Sequence, residues 1–314
     1  MKFLSKKTNI DFMGKRKIAF ATSGILIILS IVLLFTRDLN FGLDFTGGTL
    51  IEVSYPAAPE ISDVRSNLAD AGMTDAIVQT FGAATDIIVR IPLNAEKDES
   101  EAEISTIVLA ALQQGVDGDI VMRRVEFVGP QVGDELKEQG ILAVVYALIG
   151  IFLYVMMRFQ WRFSVGAVTA LVHDIIITMG VLALVQVEFD LTVVAALLAV
   201  IGYSLNDTIV LFDRIRENFP RLRKASPLEV VNISVNETLS RTLMTSLTTL
   251  LVLVALFIFG GEIIHAFAFT LIVGVLVGTY SSIYVASTTL LELGVSKFDL
   301  LAVEKEGAAI DQNP

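Results

Sequence analysis

The sequence contains no cysteine, only two histidines, and few charged residues, 18% of a 314-residue chain. Without cysteine it forms neither disulfides nor thiolate metal sites, so any folded domain rests on its apolar core. The two histidines, His173 and His265, fall inside long hydrophobic stretches. The polar segment 37–139 therefore lacks a catalytic constellation, which points to binding or bracing there and to no enzyme activity. Scarce charge beside 54% hydrophobic residues excludes an ordinary soluble domain and makes the bilayer part of the solvent.

What is present is a set of runs long enough to cross about 30 Å of hydrocarbon. Residues 18–36, 140–157, 242–261 and 263–291 are free of charge, while 163–187 and 190–212 carry Asp174 and Asp207 in their interiors. The first run is longer than a signal-peptide core and no A-x-A pattern follows it, so it reads as an uncleaved helix. Basic residues mark one side of the membrane: the N-terminal stretch 1–17, Arg158 and Arg162, and the loop 213–241 with Arg214, Arg216, Arg221, Arg223 and Lys224. The short loops on the other side have no Lys or Arg. The positive-inside rule then puts both termini and the tail 292–314 in the cytoplasm, across a bacterial-type inner membrane. The Arg214 to Lys224 stretch could touch anionic membrane lipid or simply be solvated.

Segment 37–139 then lies outside, with seven Lys or Arg against nineteen Asp or Glu, a net of −12. That balance argues against nucleic acid and suits either plain solvation or steering of basic polypeptide. Its hydrophobic period switches between 2 and 3.6. Strands are expected at 49–55, 76–81, 86–91 and 120–128, with a turn at 82–85. Helices are expected from Glu60 to Ala71, ended by Gly72, and after a Ser100–Glu103 capping box. Strand, helix, strand, strand, helix, strand is the ferredoxin-like order. Two joints tie this domain to the spans: Asp44, Gly47 and Gly48 before it, where Asp44 is able to cap its own backbone, and Gly129 and Pro130 after it. They read equally as ordinary turns or as hinges.

An acid inside the hydrocarbon costs about 2.5 to 3.5 kcal/mol on insertion scales, so Asp174 and Asp207 need partners. Tyr203 and Ser204 stand four and three residues before Asp207 on the same helix face, with Asn206 beside it. Arg241 opens a polar stripe, Thr242, Thr245, Ser246, Thr248 and Thr249, which faces protein or water. A carboxylate and a guanidinium on neighbouring helices can hold each other ionised until a proton separates them. The alternatives are a structural ion pair at Asp207 and an Arg241 that snorkels to the surface. Gly274 and Gly278 form a G-x-x-x-G step suited to close packing.

Several stretches, in this order and spacing, carry a resemblance: 41–49, Arg124-Val125-Glu126-Phe127-Val128-Gly129-Pro130, His173-Asp174, Gly202-Tyr203-Ser204-Leu205-Asn206-Asp207, Asp213 to Asn218, and Ser281 to Ala286. The sequence resembles SecF-type members of the SecD/SecF protein-export family, within the resistance-nodulation-division superfamily. The resemblance implies an α-helical membrane protein with six transmembrane helices, half of the superfamily's twelve, plus a small α+β ferredoxin-like outer domain. It implies pairing with SecD, assistance to the SecYEG channel with YajC as a further associate, contact with translocating preprotein, and proton flow as the driving force with no cofactor. It also implies that Asp207 and Arg241 conduct protons; the placement of polar residues read above adds Asp174 as a further relay candidate and Tyr203, Ser204, Asn206 and Thr245 as supporting polar groups. The rival readings are a scaffold that conducts nothing and half of a proton-driven small-molecule exporter.

Overall fold

The computed structural model describes residues 8–92 and 101–295. After a 3₁₀ turn at Met13–Lys15 the chain forms α1 (Arg16–Thr36), β1 (Asn40–Phe41) and α2 (Leu43–Thr46). An inserted domain follows: β2 (Gly48–Ser54), α3 (Ile61–Asp70), β3 (Ile77–Phe81), β4 (Ala83–Ile91), α4 (Glu101–Leu112) and β5 (Val121–Val128). The chain returns through α5 (Pro130–Arg158), α6 (Trp161–Val185), β6 (Glu188–Phe189), α7 (Leu191–Arg221), α8 (Pro227–Phe259) and α9 (Glu262–Ser281). A π turn, Ser282–Ala286, and α10 (Ser287–Glu292) continue the last helix.

Among the described residues six helical rods are long and apolar enough to cross a membrane. The central pair, α6 and α7, bury half of their apolar stretch, whereas α1, α5 and α8 turn residues such as Ile25, Tyr146 and Val252 outward. Outward apolar side chains are what lipid or another membrane protein requires of a rim helix. The G-x-x-x-G step does pack: a Cβ at Gly274 would lie 2.1 Å from Val200 Cγ2, so only glycine lets α9 approach α7 this closely.

The stretch expected as a loop at 213–241 is helical except for 222–226. Helix α7 keeps its hydrogen bonds past the apolar run because Ile215 and Phe219 stay buried beside Phe212, Phe163 and Val231. Charged neighbours support it at spacing i,i+3, as in Arg214–Glu217 at 3.0 Å. Helix α8 opens on a Ser226–Glu229 capping box with Pro227 in the first turn. Likewise α5 begins at Pro130, so 131–139, expected within the outer domain, belongs to the second rod.

The inserted domain is a four-stranded antiparallel sheet in the order β3-β4-β2-β5, the ferredoxin-like arrangement. Alternation along the strands decides its faces. Ile51, Val53, Ile87 and Val89 meet Val64 and Leu68 of α3 and Val108 and Leu112 of α4, forming the domain core. Leu50, Glu52, Ile88 and Arg90 point the other way, toward the ends of the membrane helices, across a cleft of about 370 Å³. Helix α3 ends as expected, with Gly72 at φ +85° and Met73 N–H donating to Leu68 O at 2.9 Å. The turn expected at 82–85 shortens: Phe81 pairs with Ala83 around Gly82, and 83–85 join β4. Of the expected capping box before α4, Ser100 lies outside the described residues.

Tyr55 is 5% exposed, and its hydroxyl donates to Leu112 O at 3.4 Å. Burial raises its pKa to about 12. The unfolded phenol ionises near 10, so the stabilisation is complete below about pH 10 and is lost as pH rises toward 12, about 2 to 3 kcal/mol in all. Limited proteolysis of the full chain in detergent is expected to show the inserted domain opening over that window. In Tyr55→Phe the alkaline opening should move to higher pH.

Candidate functional site

The two acids inside the apolar helices have opposite surroundings. Asp174, on α6, is 1% exposed and its carboxylate is saturated. Oδ1 meets His173 Nδ1 at 2.9 Å, and Oδ2 accepts from Ser204 of α7 at 2.6 Å and from Ser281 of α9 at 2.8 Å. The chain of contacts continues from His173 Nε2 to Ser23 Oγ of α1 at 3.2 Å, from Ser23 to the Tyr280 hydroxyl at 3.2 Å, and from that hydroxyl to Ala19 O at 2.8 Å. Four helices are thus joined through one carboxylate. The π turn helps: Ser281 stands at its start, and Ser282 bonds Thr208 of α7 at 3.0 Å.

Asp207, on α7, is also buried, at 4% exposure, but its Oδ2 has no hydrogen-bond partner. Across the gap lies α8. It carries Arg241 and Thr245, and no ion pair joins Arg241 to the Asp207 carboxylate among the described residues. The Thr245 hydroxyl is drawn back to its own helix, to Arg241 O at 3.1 Å and Thr242 O at 2.9 Å. A buried acceptor left open in this way is rare in native interiors. Thr208, next in sequence, turns to Ser282 of the π turn at 3.0 Å and not to Asp207.

The supporting residues divide differently from the sequence expectation. Ser204 serves Asp174, because the turn of α7 that buries it faces α6 and α9. The Tyr203 hydroxyl is buried without a partner, and it packs near Val200 and Val275. Asn206 is exposed on α7, as are Arg241 and Thr248 on α8. Sequence reasoning missed Ser23, Thr208, Tyr280, Ser281 and Ser282. The Ser281-Ser282 pair inside an apolar run was the available signal. Among the described residues no three His, Asp or Glu side chains come together as a metal would require.

The joints are packed and not loose. Gly48 has φ +129°, and a Cβ there would lie 2.4 Å from Ile91 O. Asp44 does not cap its own backbone: its Oδ2 accepts from Leu191 N–H, the first amide of α7, at 3.0 Å. The flanking β1 pairs in parallel with β6, Asn40 to Glu188 and Phe41 to Phe189, a ribbon that the sequence pattern does not announce. Phe45 is buried against Phe189, ring centres 5.7 Å apart, with Leu182 and Val194 in the same cluster. Gly129 caps α5 in extended conformation and Pro130 takes the first helical position, where a missing N–H costs nothing. Arg90 on the sheet forms an ion pair with Glu188, beside the start of α7.

A family model described as protein export membrane protein SecD/SecF, C-terminal, matches residues 108–296, and the SecD/SecF GG motif matches 32–55. The chain belongs to the SecD/SecF family. Two relatives, each called protein translocase subunit SecF, come from Vibrio alginolyticus and Pseudomonas aeruginosa. The first is 52% identical over 99% of both chains, and the second 51% identical over 96% of this chain and 97% of its own. A crystal structure of SecDF, a translocon-associated membrane protein from Thermus thermophilus, superposes with a TM-score of 0.81 at 36% identity. That alignment covers 93% of this chain and 39% of the SecDF chain. SecDF in its super-membrane-facing form matches at a TM-score of 0.67 and 37% identity. Family membership and the six rods make this SecD/SecF chain a multi-pass membrane protein.

The two acids should respond oppositely to neutral replacement. Asp174→Ala strands three buried donors and is expected to lower stability by about 3 kcal/mol or more. Asp207→Asn removes a carboxylate that no donor saturates and should change stability by less than about 1 kcal/mol. Thermal unfolding of the two variants in the same detergent measures the contrast.

Proposed function

We propose that this chain is the SecF-type half of a protein-export complex in the bacterial inner membrane. Its termini are cytoplasmic and its inserted domain is on the outer side. With a SecD-type partner it uses the proton motive force to promote late, ATP-independent translocation of preprotein through a SecYEG-type channel. The observation that carries this reading is the open Asp207 carboxylate facing Arg241, set against the saturated Asp174.

A proton carrier in a membrane must gain and lose charge without dismantling its surroundings, and Asp207 meets that condition. When ionised, it is attracted by Arg241. When protonated, that attraction is gone and α7 is free to shift against α8. One charge moving through 100 mV supplies about 2.3 kcal/mol, enough to bias a two-state element strongly. Asp174 in this reading holds α1, α6, α7 and α9 in register, so that these four shift as one body against α8.

The exposed Asn206, Arg241 and Thr248 support a partner half, because lipid tails satisfy neither an amide nor a guanidinium. The fit of this chain to 39% of SecDF is consistent with the remainder residing in a SecD-type protein. No cofactor is needed, since the coupling ion is the proton itself.

The test is preprotein export into inverted membrane vesicles with the assembled complex, with and without a proton gradient. Asp207→Asn and Arg241→Met are each expected to slow the gradient-dependent phase at least about tenfold, the factor that 1.4 kcal/mol represents. The early ATP-driven phase should be untouched. Normal gradient-dependent export in both variants would leave this chain only an assembly role.

A further inference from the structure

The capping of α7 is divided between two parts of the chain far apart in sequence. Asp190, its own N-cap, accepts from Val193 N–H at 2.9 Å, the ordinary arrangement. The first amide, Leu191 N–H, is instead taken by Asp44 from the joint that leads into the inserted domain, 147 residues earlier. Two carboxylates at the positive end of the helix dipole are electrostatically favourable there. A single local cap would serve an ordinary helix, so the second attachment calls for its own account.

The place of Asp44 gives one. Helix α2, which carries it, has little room to move: a Cβ at Gly133 of α5 would stand 3.2 Å from Phe45 O, and Phe45 itself is buried against Phe189. Gly42 N–H donates to Phe189 O at 2.8 Å on one side of Asp44. On the other side Gly47 and Gly48 enter β2, the strand that lies between β4 and β5. From β4, Arg90 reaches Glu188, two residues before the N-cap. Whatever displaces the base of the sheet therefore pulls on the first turn of α7, and an axial shift of α7 pulls on the sheet. Helix α7 is also the one that carries Asp207.

We propose that Asp44 is a positioning residue, a tether from the inserted domain to the first turn of α7 that makes the domain joint and the Asp207 helix one mechanical unit. This rests on the proton-relay reading for the purpose of the motion, and on the Asp44 to Leu191 bond alone for the tether.

The test uses the full chain in lipid nanodiscs with two readouts. Hydrogen exchange at residues 191–194 is compared with the first turn of α8 as an internal control. Asp44→Ala should speed exchange at 191–194 about fivefold, the effect of losing one helix cap, with α8 unchanged. Asp44→Asn, which retains an acceptor oxygen, should restore it to within about twofold. The second readout is the distance between spin labels at Ser62→Cys on α3 and Ile258→Cys on α8, in a chain with no native cysteine. Asp207→Asn is expected to shift that distance, and Asp44→Ala to abolish the shift. Unchanged exchange in Asp44→Ala overturns the tether. Faster exchange with the Asp207-dependent shift intact reduces Asp44 to a local cap and overturns the coupling. If Asp207→Asn gives no shift with Asp44 present while exchange still quickens in Asp44→Ala, the tether stands and the relay reading falls.

Discussion

Inside hydrocarbon there is no water to finish a hydrogen bond, so every polar group in the helix bundle must be met by another part of the chain. Asp174 shows how far that constraint reaches. Satisfying one carboxylate draws a histidine from the same helix, a serine from α7 and a serine from α9, and through His173 it fixes a serine and a tyrosine at the α1 crossing. The close approach of α9 to α7 at Gly274 and the π turn after Ser281 lie on the two helices that bring their serines to that point. The bundle is organised around a polar centre, and apolar packing fills in around it.

Several buried hydroxyls of the bundle are also left without a partner, but Asp207 is the buried acid among them. Its second oxygen is left open, and in the proposed reading the state of α7 against α8 then depends on charge as well as on packing. A site of this kind has to sit on a scaffold that does not itself respond. The saturated Asp174 cluster on one side of α7 and the packed aromatic joint at its end supply that rigidity.

Much of this was legible in the chain itself because it follows from one-dimensional rules. Four charge-free runs and two with an acid in their interior located the six rods, basic loops predicted an orientation, and alternating hydrophobicity identified four strands in ferredoxin-like order. Asp174, Asp207 and Arg241 stood out because charge is expensive where they lie. What could not be read was which partner each acid takes. Tyr203 and Ser204 share a helix face with Asp207 on paper, but Ser204 faces α6 and α9, a matter of helix rotation. Asp44 was visible as a capping residue, yet the backbone it caps lies 147 positions away. The β1 and β6 pairing involves two residues on each side, too few to leave a periodic signal. The loop expected at 213–241 proved mostly helical because charge marks where the bilayer ends and says nothing of where the helix ends.

The π turn at Ser282–Ala286 has a meaning in terms of chain phase. Such a turn holds one residue more than an α-helix needs over the same rise. Everything after it is rotated by roughly a quarter turn from where an unbroken helix would put it, since successive residues of an α-helix step by about 100°. Ser281 faces the Asp174 cluster and Leu290 meets the aromatic core at the basic end, and the angle between those two directions includes that added rotation. The last rod behaves as two helices of different phase spliced end to end, and the splice lies beside the polar centre.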